Sequence, residues 1–123
     1  MTDTARQILR IERQQVADFN RGRIPALLRS FDPSFVGFSS TRHPRIAGRN
    51  ALSRTFHFYL KQAPKLAYSI VQPRVQVYGR AAVATFYWKV RLGKRSINGR
   101  GSHVYVKKPA GWRIVHEHFS RAH

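Results

Sequence analysis

The sequence has 123 residues, which suffices for one hydrophobic core and is too short for two ordinary domains, so we expect a single domain over residues 1–123. Its 23 Lys and Arg residues against 5 Asp and Glu residues give a formal net charge of +18, which indicates either anionic partners or a surface charge introduced by design. The absence of cysteine excludes disulfides, thiolate metal ligands and thiol nucleophiles, while the absence of a long apolar run excludes a membrane span and favours a cytoplasmic protein.

The first half of the chain has the apolar spacing of helices, interrupted by one short strand. Residues 3–21 and 24–31 are predicted helices, and residues 48–60 return to the helical period after a loop. Between them, residues 34–40 are a brief apolar segment that predicts a strand. The carboxylates of the first helix, Glu12 among them, are expected at a cap or on the surface.

The second half changes to a period of two and predicts four consecutive strands. They cover residues 66–78, 81–92, 96–108 and 112–120, with short turn signals between them. Pro73 interrupts the first of these strands and indicates a bulge or a sheet edge, because proline cannot donate a ladder hydrogen bond. Short turns between successive strands predict an antiparallel meander.

Three helices followed by such a meander predict an α+β fold. We expect a strongly curved antiparallel sheet, packed on the three N-terminal helices as a cone whose open end holds a pocket. In the strand over residues 81–92, Phe86 and Trp88 share the face expected to line the core. Val83, Thr85 and Tyr87 share the other face, which is too apolar for water alone and is therefore expected to form an oligomer interface.

The last strand carries a family resemblance. Residues 111–120, GWRIVHEHFS, resemble the closing strand of SnoaL-like proteins in the nuclear transport factor 2-like superfamily. Residues 35–38 agree with its first strand and residues 48–52 with the opening of its third helix, so the resemblance covers nearly the whole chain. The spacing of Trp112, the histidines and the final serine is similar in particular to the association domain of calcium/calmodulin-dependent kinase II.

This resemblance implies the fold more sharply than the activity. The superfamily holds isomerases, dehydratases and cyclases as well as plain binding and oligomerising domains, and its members dimerise through the sheet. The positions at which the kinase association domain presents pocket arginines fall here on Trp88 and His103, so its acidic-ligand site does not carry over intact. The expected pocket residues are Tyr59, Phe86, Trp88, His103, Tyr105, His116 and His118.

Two histidines, His103 and His116, are candidate catalytic bases, and the strand pairing decides whether they share a face. His116 and His118 lie two apart on a strand and therefore share a face, and pairing of Lys107 with Trp112 would place His103 opposite His116. Three imidazoles on one face could hold a catalytic zinc, but a shift of one residue would turn His103 away. We therefore expect no metal and no cofactor.

Carboxylates are too scarce in the sequence to offer an obvious alternative to these histidines. Glu117 is expected on the sheet face opposite His116, paired with a nearby arginine. This leaves His103, His116 and His118 as possible bases, with His103 and His116 as the named candidates for general acid–base work. The plainer interpretation is that they are packed, hydrogen-bonded histidines.

The basic residues are spread over helices, turns and the polar strand face, without a dense run or a recognition helix. Spread charge of this kind favours non-specific binding of nucleic acid or other polyanions in vitro. It fits either a supercharged scaffold or a natural arginine-rich protein with an acidic partner. The expected polyanion-binding surface comprises Arg49, Arg54, Arg74, Arg80, Lys94, Arg95, Lys107 and Lys108.

Three functions from different classes remain open. The first is a non-catalytic, strongly cationic homodimer or ring that acts as a binding or scaffold module with an aromatic-lined pocket. The second is a small-molecule isomerase, dehydratase or cyclase that uses a pocket histidine. The third is a polyanion or nucleic-acid binder. An enzyme should place His103 or His116 beside Tyr59 and Trp88 at the base of an open pocket, whereas a scaffold can fill that space with side chains.

Overall fold

The computed structural model describes residues 1–62 and 65–122. It has an α+β architecture in which the N-terminal helices pack on a curved, unclosed sheet, which confirms the predicted fold class. Within the described residues, no helix has the length and apolar character needed to cross a membrane. The elements are α1 (Asp3–Asn20), α2 (Ile24–Leu28), β1 (Phe31–Phe38), β2 (Ile46–Ala47), α3 (Gly48–Gln62), β3 (Ala67–Tyr78), β4 (Ala81–Leu92), β5 (Arg95–Lys108) and β6 (Gly111–Arg121).

The sheet has six strands in the order β2-β1-β6-β5-β4-β3. The sequence predicts five of them, and the sixth, β2, lies in the segment predicted as a loop. The meander from β3 to β6 is antiparallel as expected. The correction concerns β1, which begins at Phe31 instead of residue 34 and pairs in parallel with β6. Its apolar residues therefore extend the same sheet, and α2 ends at Leu28 because Phe31 belongs to a strand.

The edge strand β3 contains the irregularity that Pro73 indicates. Its register against β4 shifts between Val71 and Arg74, and the intervening Gln72 has a φ of 53°. β3 is an edge strand of the sheet. Pro73, which has no amide hydrogen, therefore removes no hydrogen bond between the inner strands. The prediction of a bulge or an edge is confirmed on both counts.

A second irregularity lies between β5 and β6 and decides which side chains face inward. Near the hairpin, Lys107 pairs with Trp112 as predicted. Beyond Tyr105 the register shifts by one residue, so that His103 opposes Glu117 rather than His116. The expectation of three imidazoles on one face is therefore wrong, because one extra residue in β6 moves every following side chain to the other face.

The core lies between α1, α3 and the inner face of the sheet. Large apolar side chains from both halves of the chain meet there fully buried, among them Ile8 on α1, Leu52 on α3 and Ile114 on β6. Phe31 and Phe35 pack edge to face on β1, with ring centroids 5.1 Å apart. α1 contacts β3 and α3 contacts β1, so the helices pack across the inner face of the sheet.

Two glycines in β5 make room for large rings on that inner face. Gly99 lies opposite Trp88 and Gly101 opposite Phe86. A Cβ built at Gly101 would lie 2.6 Å from the Phe86 ring, and one built at Gly99 would overlap both the Trp88 ring and the Ser120 carbonyl oxygen. The rings therefore lie over bare backbone, as aromatic side chains do beside strand glycines.

We predict that Gly99→Ala lowers the free energy of unfolding by about 2–3 kcal/mol, because the new methyl group collides with backbone that cannot move aside cheaply. Urea unfolding followed by tryptophan fluorescence measures the change. The adjacent Asn98→Ala replaces an exposed side chain in the same strand and should change stability by no more than ~0.5 kcal/mol. Equal losses in the two variants would contradict this account of Gly99.

Candidate functional site

An apolar cavity of ≈ 410 Å³ lies between the helices and the inner face of the sheet. Its walls come from α1, α3, the segment 39–41 and the inner faces of β3 to β6. Phe19 of α1 and Tyr68 of β3 pack edge to face in one wall, with ring centroids 5.5 Å apart. A cavity of this size and character suits a small, mostly apolar molecule.

Three of the seven expected pocket residues line this cavity, namely Tyr59, Trp88 and His103. Phe86 and Tyr105 lie behind its wall. The Phe86 ring is buried with its centroid 5.2 Å from that of His103.

The other two expected pocket residues, His116 and His118, lie on the opposite side of the sheet. The Nδ1 of His116 is 2.9 Å from the carbonyl oxygen of Val36 on the neighbouring strand. His118 is exposed to solvent. The structure therefore separates His103 from the two histidines with which the sequence analysis grouped it.

His103 lies between two buried carboxylates. Its Nδ1 is 2.6 Å from Glu12 Oε2 on α1, and its Nε2 is 2.9 Å from Glu117 Oε1 on β6. The Tyr105 hydroxyl donates to the same Glu12 oxygen at 2.7 Å, and Gln15 Nε2 donates to Tyr105 at 3.2 Å. Because carboxylates accept hydrogen bonds, both ring nitrogens of His103 act as donors and the ring is an imidazolium. We call Glu12, His103 and Glu117 the buried triad.

The charges of the buried triad explain its protonation state. Burial by itself lowers the pKa of His103. The charges of Glu12 and Glu117 and their hydrogen bonds to the ring have a larger, opposite effect, and the pKa of His103 is raised to about 10. Near neutral pH the His103 ring therefore carries a positive charge. Burial also raises the pKa of Tyr105, with the Glu12 charge as a further cause, so its hydroxyl stays a neutral donor.

Each carboxylate keeps one oxygen outside these bonds. Among the described residues, the hydrogen bonds use only Oε2 of Glu12 and Oε1 of Glu117. In the described part of the chain, every fully buried side-chain oxygen has a hydrogen-bond partner. The second oxygens of Glu12 and Glu117 have none, so they are not fully buried and a water-sized molecule can touch them. Since both residues line the cavity, we infer that these oxygens open into it.

Sequence reasoning missed both carboxylates of the buried triad. Glu12 was expected at the surface but is 2% exposed, and it shares the inward helical stripe with Ile8 and Gln15, a spacing that is visible in the sequence. Glu117 was expected to pair with an arginine on the face opposite His116. It does face away from His116, but its partner is His103, because the bulge in β6 changes the pairing.

Tyr68 is a third residue of interest that the sequence analysis did not single out. It lines the cavity, and burial together with the charges of Glu12 and Glu117 raises its pKa well above the ordinary value. None of the hydrogen bonds among the described residues uses its hydroxyl, whereas its backbone bonds to Asn20. The Tyr68 hydroxyl is thus a neutral donor available to a ligand.

The expected interface residues Val83, Thr85 and Tyr87 all lie on the face of the sheet away from the helices, and Tyr87 is 54% exposed. Their role in self-association stays a prediction. Of the expected polyanion surface, Arg49 instead donates from Nε to the carbonyl oxygen of Phe31 at 2.8 Å. The remaining members lie on α3, on β3 and at the hairpin ends of the sheet: Arg54, Arg74, Arg80, Lys94, Arg95, Lys107 and Lys108.

Comparisons with known proteins agree with this fold. A family model for the SnoaL-like domain matches residues 8–123. A nuclear transport factor 2-like protein of unknown function from Pseudomonas putida superposes with a TM-score of 0.90 at 17% identity, covering 98% of this chain and 87% of that one. A search of curated proteins found no match.

Two further solved structures carry functional names. A candidate calcium/calmodulin-dependent protein kinase II association domain from Xanthomonas campestris has a TM-score of 0.83 at 20% identity, covering 95% of this chain and 86% of that one. A candidate ketosteroid isomerase from Parabacteroides distasonis has a TM-score of 0.76 at 24% identity, covering 94% and 85% respectively. At these identities the likeness establishes the fold alone.

We predict that stability falls as pH rises from 6.5 towards 10, because His103 has a higher pKa in the folded chain, about 10, than in the unfolded chain. The contribution of protonated His103 to the free energy of unfolding is complete below pH 6.5. It declines by about 1.4 kcal/mol per pH unit until the pH reaches the pKa of His103 in the folded chain. Urea unfolding at pH 6 and pH 9.5 measures the difference. His103→Gln should be less stable at pH 6 and lose most of this pH dependence.

The matched control is His43→Gln, which makes the same change at an exposed histidine. It should keep the pH dependence of the parent chain. A parent chain whose stability is unchanged over this pH window would contradict the protonated state of His103.

Proposed function

Because the chain belongs to the SnoaL-like domain family, we propose that it is an enzyme that transfers a proton on a mostly apolar small molecule, as an isomerase or a dehydratase does. The observation that carries the proposal is the buried triad in the wall of an open apolar cavity. Solved structures of similar fold include a candidate ketosteroid isomerase and a candidate dehydratase from Streptomyces avermitilis. Their names support this class of reaction.

The open cavity favours an enzyme over a scaffold with a filled interior. His103 lies in the cavity wall together with Tyr59 and Trp88, which is the arrangement expected for the enzymatic alternative. The base, however, is a carboxylate in our proposal. An imidazolium has no free electron pair, so His103 cannot accept a proton while both its nitrogens donate.

We assign the role of base to Glu117. Its Oε2 has no hydrogen bond within the described chain, whereas Oε1 is held by His103 Nε2, which fixes the carboxylate in place. Glu12 is the more buried of the two and already accepts from both His103 and Tyr105. Glu12 is therefore a positioning residue that keeps His103 charged and oriented.

The Tyr68 hydroxyl supplies the complementary group. In the proposed step, Glu117 removes a proton from a carbon next to a carbonyl group, and the electron pair of the broken C–H bond moves to the carbonyl oxygen. The neutral hydroxyl of Tyr68 donates a hydrogen bond to the resulting enolate oxygen. Return of the proton from Glu117 to another carbon completes an isomerisation.

The cavity restricts the substrate to a compact, mostly apolar ketone or enone. Its walls are largely aromatic and aliphatic, and the two carboxylates disfavour an anionic substrate near the triad. At the rim, the hydroxyls of Thr41 and Tyr59 lie 2.7 Å apart and offer polar contacts to a second oxygen of the ligand. A neutral fused-ring ketone that carries a second oxygen meets all three requirements, and one without it meets the first two.

We predict that the protein catalyses exchange of the α-hydrogens of β-tetralone and of a steroid enone in D₂O, measured by mass spectrometry. Glu117→Gln should slow the enzymatic exchange by a factor of ~10² or more, since it removes the base. Tyr68→Phe should slow it by a similar factor, because it removes the donor to the enolate. Both variants should still bind the ketones, as followed by ligand NMR.

Asp3→Asn is the matched control because it neutralises a fully exposed carboxylate at the start of α1. Its exchange rate should equal that of the parent chain. Binding without catalysed exchange would overturn the enzymatic proposal in favour of a ligand-binding protein. Catalysed exchange that survives Glu117→Gln would overturn the assignment of the base.

A further inference from the structure

The mouth of the cavity is built differently from its interior. Of the described side chains that line the cavity, only Thr41, Phe58 and Gln62 are exposed to solvent. They lie on the segment 39–41 and on the second half of α3, so we place the mouth of the cavity there. The buried triad belongs to the part of the wall that is shielded from solvent.

An arginine lies over one of the residues of the mouth. The guanidinium carbon of Arg42 is 5.1 Å from the centroid of the Phe58 ring, which is a cation–π contact. The backbone at this position is also held, because the N–H of Arg42 donates to Ser39 Oγ at 3.1 Å. Arg42 is exposed, so a positive charge of defined position lies at the mouth.

A second arginine follows the inner face of the sheet past the apolar wall. Val90 of β4 pairs with Ile97 of β5, and both line the cavity. Leu92, two residues further along β4, also lines the cavity and pairs with Arg95. Residues directly opposite each other in an antiparallel pair share a face, so Arg95 continues this inward row where the hairpin enters solvent.

No carboxylate of the described chain neutralises these two arginines. Two of the five side-chain carboxylates belong to the buried triad. The other three have partners on α1 or near the ends of β1 and β5: Asp3, Asp18 and Asp32. Neither Arg42 nor Arg95 takes part in an ion pair among the described residues. Uncompensated positive charge therefore lies beside an apolar cavity.

We propose that the cavity binds an amphiphilic small molecule whose apolar part lies inside and whose anionic end, a carboxylate or a phosphate ester, is held at the mouth by Arg42. Arg95 adds positive charge along the same cavity wall. A guanidinium suits this role because it donates two parallel hydrogen bonds to either oxyanion. The contact with Phe58 orients Arg42 before the ligand arrives, which lowers the entropic cost of binding.

An anionic end at the mouth is compatible with the carboxylates of the triad. Glu12 and Glu117 disfavour negative charge beside them, so the ligand is neutral in that part of the cavity and charged only at its solvent-exposed end. A polyanion such as nucleic acid would satisfy the arginines but has no apolar part to fill the cavity. As a statement about the substrate, this inference rests on the proposed function, whereas the binding itself does not.

The test compares three ligands that share a ten-carbon chain and differ in the end group. Decyl phosphate, decanoate and decanol compete with N-phenyl-1-naphthylamine, a neutral dye that fluoresces in apolar sites, for the full chain at pH 7.5. We expect both anions to bind at least about fivefold more tightly than decanol at 50 mM NaCl. The advantage should shrink at 300 mM NaCl, because salt screens exposed charges. The more tightly bound anion identifies the end group.

Arg42→Gln should raise the Kd of decyl phosphate about fivefold and leave that of decanol unchanged, and Arg95→Gln should raise it about twofold. The matched control is Arg45→Gln, which removes the same charge from the same segment between β1 and β2. The Arg45 guanidinium lies 5.8 Å from the ring centroid of Phe38, a residue that does not line the cavity. This control should leave the Kd of decyl phosphate within about 1.5-fold of the parent value.

Three outcomes would overturn the inference. They are equal affinities for decyl phosphate and decanol, equal weakening by Arg42→Gln and Arg45→Gln, and failure of the dye and all three ligands to bind. Failure of the proposed function is distinguishable, because hydrogen exchange is measured on neutral ketones. Catalysed exchange without a preference for the anionic end would overturn only the present inference. A preference that depends on Arg42, without catalysed exchange, would support it and overturn only the catalytic proposal.

Discussion

The imidazolium of His103, held between Glu12 and Glu117, is the interaction on which the cavity and its chemistry depend. Each of the three groups comes from a different element, α1, β5 and β6, so the charges are compensated only when helix and sheet have docked. Removing one partner would leave a buried charge without its counterion, which is far more costly than losing a surface ion pair. The same interaction fixes the position of Glu117, the carboxylate to which we assign the role of base.

A single extra residue in β6 makes this interaction geometrically accessible. Without the bulge, the pairing of Lys107 with Trp112 would continue in step and bring His116 opposite His103. The inner face would then carry two imidazoles without a carboxylate between the strands. The register shift beyond Tyr105 instead turns Glu117 inward and His116 outward. One backbone irregularity therefore decides both the buried triad and which side chains of β6 lie on the sheet face away from the helices.

The fold was predictable from the sequence to a greater extent than the site. Period-two alternation placed Phe86 and Trp88 on the inner face, and Pro73 marked the edge strand, because both signals are local. Glu12 was predictable in principle, since it lies in register with the apolar stripe of α1, but a lone carboxylate there is ordinarily at the surface. Glu117 was not predictable, because no residue in β6 signals where the ladder loses its register.

Burial of the triad also changes how the charge of the chain is distributed. A protonated His103 adds one positive charge to the formal +18, which counts histidine as neutral. Two of the five side-chain carboxylates are inside the cavity wall, so they can screen little of the surface charge. The inner face of the sheet holds these two carboxylates, whereas none of the described Lys and Arg side chains is buried. One curved sheet thus separates the carboxylates of the cavity wall from the basic side chains of the surface.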